Sequence, residues 1–209
     1  MSETLALQLR DEGTQHLRDG RVEDAIAAYR HALDSWRRLA QQSSSSANAQ
    51  RNLAIGLNDL AGALHAAGRF SDALDIYEES IAVTTGLLDS DNQNEGLLRD
   101  AAITFGRLAT TCIAMEDWED ALETANGAVS IFLKFVDSDK GDTGKRFDLA
   151  LALQRRAIVL AALEAQAQAM TDAEESRNLL RELVRIRPSN QIWRDALSGA
   201  ERLYEELWS

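Results

Sequence analysis

The chain has 209 residues, a formal net charge of −12 and only one proline. Its single cysteine, Cys112, excludes an intrachain disulfide or a cysteine-based metal cluster and is typical of a reducing compartment. The acidic balance repels phosphate and anionic lipid, so neither nucleic acid nor a membrane is expected as a partner. No signal-peptide pattern and no apolar run of membrane-spanning length occur, which predicts a cytoplasmic location.

The dominant pattern is an internal repeat with a period of 48 residues. Ala25, Ala73, Ala121 and Ala169 lie at this interval, and the residues around each of them follow a matching pattern. Repetition at a period of tens of residues is typical of a solenoid, in which each unit buries its apolar face against its neighbours. Because alanine and leucine are abundant and proline is almost absent, an all-α fold is predicted.

Taken in chain order, four repeats are predicted within a single domain over 1–209, at about 2–46, 47–94, 95–143 and 144–187. Apolar residues return at helical spacing in two stretches of each repeat, so each repeat is predicted to be an antiparallel helical hairpin. The turn carries Gly20 or Gly68 in the first two repeats and acidic or polar residues in the others. After Pro188, the segment 189–208 is predicted to be one amphipathic helix that caps the last repeat; a detachable interaction helix is the alternative.

Small residues recur where the paired helices would cross, with a large residue four positions before the first and, in the first two repeats, an aromatic four positions after the second. In repeat one these residues are Leu9, Gly13, Ala25 and Tyr29. The later small pairs are Ala61 and Ala73, Ala109 and Ala121, and Ala157 and Ala169.

On these residues the units resemble tetratricopeptide repeats (TPR). The 48-residue period, against the usual period of about 34, resembles the long-repeat arrays found in many bacterial proteins. The resemblance implies a right-handed superhelical α-solenoid of four TPR-like helical hairpins plus a C-terminal capping helix. It also implies an adaptor or scaffold, since most members of that family have such roles.

Sequence signatures of enzymes and of metal sites are absent. No phosphate-binding loop, dinucleotide fingerprint, zinc-protease motif or nucleophile elbow occurs, and His16, His31 and His65 lack metal-ligand spacing. His16 and Cys112 share one position of the repeat pattern and are both predicted to be buried, His16 as a neutral side chain and Cys112 as a small hydrophobe. A non-enzymatic protein without a cofactor or a metal is therefore predicted.

The resemblance implies that a partner binds the concave groove, which the first helix of each unit lines in the TPR family. The residues assigned to this groove are Arg10, Thr14, Leu17, Ile55, Asn58, His65, Ile103, Arg107, Thr110, Leu151, Arg155 and Ile158. The chaperone carboxylate clamp of some family members does not match, because Thr14, Asp59 and Ile103 stand at three of its positions.

Two features of this groove recur in phase. Leu7, Ile55, Ile103 and Leu151 form an apolar row, which is either a packing surface against the long second helices or a binding surface. Arg107 and Arg155 also recur, and they predict that one end of the groove is cationic.

The leading hypothesis is a scaffold that binds a peptide or a helical segment of another protein in this groove. The alternative is a self-associating structural assembly module, because incompletely capped solenoid ends associate readily. The chain is accordingly expected to be a monomer or a weak homo-oligomer.

Overall fold

The computed structural model describes residues 3–42 and 47–208. Nine α-helices and no strand occur in these ranges, so the predicted all-α repeat fold is confirmed. In chain order the helices are α1 (Glu3–Arg18), α2 (Val22–Gln42), α3 (Ala47–Ala66), α4 (Phe70–Leu88), α5 (Glu95–Ala114), α6 (Trp118–Ser138), α7 (Thr143–Ala162), α8 (Gln166–Ile186) and α9 (Gln191–Trp208). The limits predicted at 2 and 46 for repeat one lie outside the described residues.

Contacts divide the chain into two compact units, 1–107 and 108–209, with the boundary inside α5. In unit 1, α1 packs on α2, α2 on α3 and α3 on α4. In unit 2, α6 packs on α7, α7 on α8, and α9 on both α8 and α7. Within each unit, neighbouring helices therefore form the hairpins expected from the repeat pattern. The single domain and the right-handed superhelix stay predictions.

The first helices begin in register, because α3, α5, α7 and α9 start at residues 47, 95, 143 and 191. The residue before three of these helices accepts a hydrogen bond from the first turn. Oδ1 of Asn94 accepts from the amide of Leu97 at 3.1 Å, and Oδ1 of Asp142 accepts from that of Gly144 at 2.7 Å. Oδ1 of Asn190 accepts from the amide of Trp193 at 3.2 Å. Such N-caps satisfy amides that lack a partner within the helix, so α5, α7 and α9 each carry a local signal for their start.

The turn inside each hairpin has one backbone conformation in all four repeats. Two residues after the first helix, φ is 73° at Gly20, 72° at Gly68, 59° at Glu116 and 60° at Glu164. The amide of the following residue donates a hydrogen bond to the carbonyl five residues earlier. In repeat three, for example, the amide of Asp117 donates to the carbonyl of Cys112 at 3.0 Å. This is the Schellman termination, which requires a left-handed residue. Two glutamates therefore adopt a conformation that suits glycine.

The small residues predicted at the helix crossings are buried. Ala25, Ala73, Ala121 and Ala169 have no exposed surface. A Cβ atom added to Gly13 would lie 2.7 Å from Cε1 of the buried Tyr29 ring, so a larger residue cannot occupy that crossing without displacing the ring. The crossings are therefore placed where the sequence pattern predicts them.

The C-terminal helix covers the last hairpin, as predicted. Trp193 and Ala200 of α9 are buried with Ala150 of α7 and with Leu180 and Leu183 of α8. Leu197 packs against the same cluster. A helix held by a shared apolar core is part of the fold, which contradicts the alternative of a detachable helix.

Of the two residues predicted to be buried at one repeat position, only Cys112 is buried. His16 is half-buried, and its Nδ1 accepts a hydrogen bond from Nε of Arg21 at 3.0 Å. The prediction for His16 is wrong because α1 belongs to the first hairpin, where the residue reaches the polar turn. The side chain satisfies that turn instead of filling a core.

Repeat four contains a buried ion pair where repeat two is apolar. Nε and Nη2 of Arg156 donate to the two carboxylate oxygens of the buried Asp172 at 2.6 and 2.8 Å. These hydrogen bonds raise the pKa of Arg156. Two periods earlier, the same positions hold Leu60 and Ile76. The repeat therefore accepts either an apolar pair or a matched ion pair at this place.

Candidate functional site

In unit 1, one cavity lies on the face formed by the first helices. Its volume is about 200 Å³, and five predicted groove residues line it: Arg10, Ile55, Asn58, Ile103 and Arg107. The sequence did not single out the other lining residues, Ala54, Asp59, Thr84 and Asp100, as binding residues. We call these nine residues the first-helix cavity.

Two arginines share one carboxylate at this cavity. Nε of Arg10 in α1 donates to Oδ2 of Asp59 in α3 at 2.5 Å. Nη1 of Arg107 in α5 lies 3.9 Å from Oδ1 of the same carboxylate and donates to the Asn58 carbonyl at 3.2 Å. The three charged groups sum to one positive charge, with the Arg10 and Arg107 side chains 36% and 42% exposed. Asp59 therefore holds two cationic groups at the mouth of the cavity.

A second ion pair joins α3 and α5 beside the first-helix cavity. Nε of Arg51 donates to Oδ2 of Asp100 at 2.6 Å, and this hydrogen bond raises the pKa of Arg51. Both cavity carboxylates are thus paired with an arginine. Arg107 lies on the first-helix face, where the sequence analysis assigned it. Its neighbour there in unit 1 is Arg10, whereas the sequence pattern had grouped it with Arg155.

Asn58 lies at the inner end of a hydrogen-bond chain. It is only 9% exposed, and its Nδ2 donates to Oγ1 of Thr104 at 2.5 Å. The Thr104 hydroxyl in turn donates to the carbonyl of Asp100 at 2.9 Å. Oδ1 of Asn58 is buried and has no hydrogen-bond partner. The cavity therefore contains a buried acceptor whose bonding capacity is unused.

Thr14 supports the face without lining the cavity. Its Oγ1 donates to the Arg10 carbonyl at 3.0 Å and lies 3.0 Å from the Tyr29 hydroxyl, which is left to act as the donor. Burial is the main reason that the pKa of Tyr29 is raised, so this phenol keeps the proton that it donates. Thr14 thus links the arginine-bearing turn of α1 to the core of repeat one.

Two predicted groove residues of unit 1 lie outside the cavity. His65 stands at the end of α3, where its ring contacts the Phe70 ring with centroids 5.2 Å apart. Burial lowers the pKa of His65. Leu17 is half-buried near the end of α1 and does not line the cavity. These two residues were assigned from helical phase, which does not distinguish the middle of a helix from its end.

The apolar row behaves differently along the chain. Leu7 is exposed, whereas Ile55 and Ile103 are half-buried and form apolar walls of the first-helix cavity. Leu151 in unit 2 is also half-buried. The row is thus neither fully packed nor fully free, and in unit 1 it borders the candidate site.

Unit 2 has its own first-helix face, formed by the end of α5 together with α7 and α9. Nε of Arg155 donates to Oγ1 of Thr110 at 3.0 Å, and Ile158 is exposed. Nε2 of Gln154 donates to the carbonyl of Ala196 at 3.2 Å. The in-register start of α9 places it as a fifth first helix beside α7. The sequence already indicated this second position, because the phase of the segment after Pro188 fits the first helix of a fifth unit.

Two larger cavities, each of about 460 Å³, lie between second helices. Arg30 and Leu64 line the cavity in unit 1. The residues two repeat periods later, Asn126 and Leu160, line the cavity in unit 2. Because the same space opens at equivalent places, it follows from helix packing in the repeat. The charged and apolar groups that line it differ between units, so it does not define one chemistry. The first-helix cavity, with its unused acceptor, is the better candidate.

No group of three histidine, cysteine, aspartate or glutamate side chains within 3–42 and 47–208 is arranged to hold a metal ion. None of the helices in those ranges is long and apolar enough to cross a membrane.

One segment of the chain matches the model of a known repeat family. Residues 53–94, which include α4 and most of α3, match the family model of the tetratricopeptide repeat. Over this segment the chain is similar to the tetratricopeptide repeat, and proteins of that family are generally protein-interaction modules rather than catalysts. Among curated proteins, none matches the sequence.

Solved structures share the fold at low sequence identity. BtubC (BKLC) from P. vanneervenii is 17% identical with a TM-score of 0.66, over 98% of this chain and 79% of that one. A Podosopora anserina protein assigned as a kinesin light chain, with nearly identical TPR-like repeats, is 16% identical. Its TM-score is 0.56, over 98% of this chain and 97% of that one. These likenesses show the fold alone.

Proposed function

We propose that the chain is a non-enzymatic scaffold or adaptor that binds a segment of another protein on the first-helix face of unit 1. The observation that carries this proposal is the placement of Arg10 and Arg107 on one carboxylate, that of Asp59, beside the apolar walls of the cavity. The segment should carry an acidic group next to an aliphatic side chain.

The acidic group of the partner is inferred from the local charge. The chain as a whole is strongly acidic, yet the cluster of Arg10, Asp59 and Arg107 leaves one positive charge at a partly exposed site. A carboxylate placed between the two guanidinium groups would gain charge-assisted hydrogen bonds of about 1.5–3 kcal/mol each. Asp59 holds both guanidinium groups at the mouth of the cavity, so only the ends of these side chains have to move when the partner binds.

The aliphatic side chain of the partner is inferred from the cavity walls. A space of about 200 Å³ between Ile55 and Ile103 has room for one such side chain. Its burial would contribute roughly 1.5–3 kcal/mol. Neither this contact nor the ion pairs alone would give tight binding, so the proposal requires both on one short segment.

Self-association, the alternative function, has less support at the two end faces of the array. In α1, the exposed Gln8 and Glu12 occupy the repeat positions of the buried Gly56 and Leu60. In α9, Glu205 occupies the position of the buried Ala157. These positions offer polar surface to a second copy, while α1 also exposes Leu7 and α9 exposes Ile192 and Trp208. We therefore favour a different protein as the partner.

We propose the cytoplasm as the compartment of this interaction, because a single free cysteine is typical of a reducing environment.

The test is a selection of random ten-residue peptides displayed on phage against the immobilised full chain. Selected peptides are synthesised, and their dissociation constants are measured by fluorescence anisotropy. We expect the selected sequences to combine an aspartate or glutamate with a nearby aliphatic residue. Replacing Arg10 and Arg107 together by glutamine should weaken binding by at least about 100-fold, because two charge-assisted hydrogen bonds of about 1.5–3 kcal/mol each are lost.

A charge-matched control separates the site from the overall field of the protein. Arg30 and Arg38 are exposed on α2, away from the first-helix cavity. Their double replacement by glutamine changes the net charge by the same amount and should leave the dissociation constant nearly unchanged. Equal effects of the two double variants, or the selection of basic peptides, would contradict the proposal. Light scattering that finds a stable dimer would favour self-association instead.

A further inference from the structure

The buried amide of Asn58 is held in one orientation by its neighbours. Because the Thr104 hydroxyl already donates to the Asp100 carbonyl, it can only accept from Asn58. The Nδ2 group must therefore face Thr104, and Oδ1 must face away from it. The backbone carbonyl of Asn58 is also engaged, since Arg107 donates to it. Only Oδ1 remains without a partner.

A buried acceptor without a partner lowers the stability of the free protein. Leaving a buried polar atom unpaired opposes folding, because the atom loses its hydrogen bonds to water without replacement. Elsewhere in the chain, buried hydroxyls are satisfied across the helix crossings. Ser80 donates to the Ala54 carbonyl at 2.9 Å, and Ser176 donates to the Ala150 carbonyl at 2.7 Å. Among the described residues, the buried side-chain atoms without a partner are Oδ1 of Asn58, Nε1 of Trp36 and Nε of Arg177, and of these three residues Asn58 alone lines the first-helix cavity.

We propose that Oδ1 of Asn58 accepts a hydrogen bond from a main-chain N–H of the bound segment. This inference rests on the proposed function, and it specifies that the segment binds with an accessible main-chain amide at the first-helix cavity. Ile55, Asn58 and Asp59 share one turn of α3, so an apolar wall, an acceptor and the arginine-holding carboxylate stand side by side.

A main-chain amide fits this arrangement better than a side-chain amine does. The N–H of a residue is attached to the Cα that bears its side chain, so a residue with an aliphatic side chain between Ile55 and Ile103 brings its N–H to the same place. A lysine ammonium would seek a carboxylate, but Asp59 and Asp100 are already paired with arginines. The amide needs only the one acceptor that is unused.

The donor must pass the rim of the cavity to reach Oδ1, which neighbouring groups cover in the free protein. Arg10 and Arg107 form part of that rim and have side chains 36% and 42% exposed. The Arg107 guanidinium lies next to Asn58, because it donates to the Asn58 carbonyl, and its movement toward the carboxylate of the partner is the step that we assign to uncovering Oδ1. Binding of the acidic group and of the amide are therefore coupled steps at one site.

The test uses a peptide chosen by the selection described above and a set of its analogues, each N-methylated at one backbone amide. N-methylation removes one N–H at a time. Against the full wild-type chain, we expect one position at which methylation weakens binding by about five- to tenfold, the equivalent of one hydrogen bond. Against Asn58→Leu, which has a similar branched shape but no acceptor, that penalty should fall to at most about twofold.

Two controls keep the result specific to Oδ1. Thr104→Val removes the hydroxyl that receives Nδ2 but retains Oδ1, so the methylation penalty should persist. The urea midpoint of Asn58→Leu in the absence of peptide should equal or exceed that of the wild type, because the unpaired acceptor is gone. If Asn58→Leu does not fold, Asn58→Ala replaces it in the same double-mutant cycle.

The outcomes separate this inference from the proposed function. A peptide that depends on Arg10 and Arg107 but shows no methylation penalty dependent on Asn58 overturns the inference alone. A chain that selects no peptide, or whose peptide ignores both arginines, overturns the proposed function and this inference together. A penalty that disappears in Asn58→Leu and persists in Thr104→Val supports both.

Discussion

The left-handed residues of the hairpin turns allow a direct test of backbone strain in the repeat. Gly20, Gly68, Glu116 and Glu164 occupy one repeat position and have φ values between 59° and 73°. A residue with a Cβ atom loses roughly 1–2 kcal/mol in this conformation because of contact with its own backbone. Glycine avoids that strain, but it has more conformational freedom to lose on folding, about 0.5–1 kcal/mol.

The difference between these two terms predicts that Glu116→Gly and Glu164→Gly each stabilise the chain by about 0.5–1 kcal/mol. The two changes should be nearly additive, because each acts on its own turn. For a chain of this size, each should raise the melting temperature by roughly 1–4 °C. Urea unfolding with an unchanged slope provides the matching free energy.

The reverse change has an internal control in the same protein. A Cβ added to Gly68 meets nothing within 4 Å, so Gly68→Ala should destabilise by about 1 kcal/mol through φ alone. A Cβ added to Gly86 also meets nothing, but this glycine lies inside α4 without a positive φ. Gly86→Ala should therefore stabilise the helix by about 0.5–1 kcal/mol.

Opposite signs for these two alanine variants are the central expectation. If Gly68→Ala and Gly86→Ala shifted the urea midpoint in the same direction, the turn conformation would not be the source of strain. A loss of stability in both Glu116→Gly and Glu164→Gly would likewise refute the reasoning, because it would mean that their side chains contribute more than the backbone strain removes.

Other substitutions test the packing of single elements. Arg156→Leu should destabilise the chain by about 3–5 kcal/mol, because it leaves the Asp172 carboxylate buried without its partner. The double variant Arg156→Leu with Asp172→Ile should recover most of the urea midpoint. A double variant as unstable as the single one would contradict this explanation. Ala73→Leu should overpack a helix crossing and cost about 1–3 kcal/mol in calorimetry, and an unchanged melting temperature would mean that the crossing is misplaced. Asn190→Ala should cost about 1 kcal/mol through the lost N-cap of α9, with circular dichroism melting as the readout. Deletion of 188–209 should expose the apolar face of α8 and cause aggregation in light scattering, so a stable truncated monomer would restore the detachable helix.

Most of the architecture was readable from the sequence because it is local and repeated. The 48-residue period, the two apolar stretches of each unit and the small residues at the crossings depend on helical spacing within a few turns. The family resemblance then predicted which helices form the binding face. The predicted capping helix is confirmed for the same reason, because its apolar stripe is regular and follows the only proline.

The pairing of side chains between helices was not readable in the same way. Arg10 and Asp59 are 49 residues apart, and their contact depends on how α1 and α3 are rotated and on the rotamers that the neighbours allow. The repeat pattern selected Arg107 and Arg155 as equivalents, but each forms a different contact, one with the Asn58 carbonyl and one with Thr110. Equal phase therefore did not imply equal chemistry.

By itself, the sequence predicted the repeated hairpins and their crossings, since these follow from a periodic pattern of apolar and small residues, and the family resemblance predicted which helices would carry a binding face. Only the tertiary structure decided that two glutamates adopt a glycine-like turn, that Asp59 gathers two arginines, and that Oδ1 of Asn58 is left unpaired. The physical reason is that a helix pattern specifies which side of a helix is buried, whereas hydrogen bonds of about 3 Å require donor and acceptor positions that only packed neighbours define.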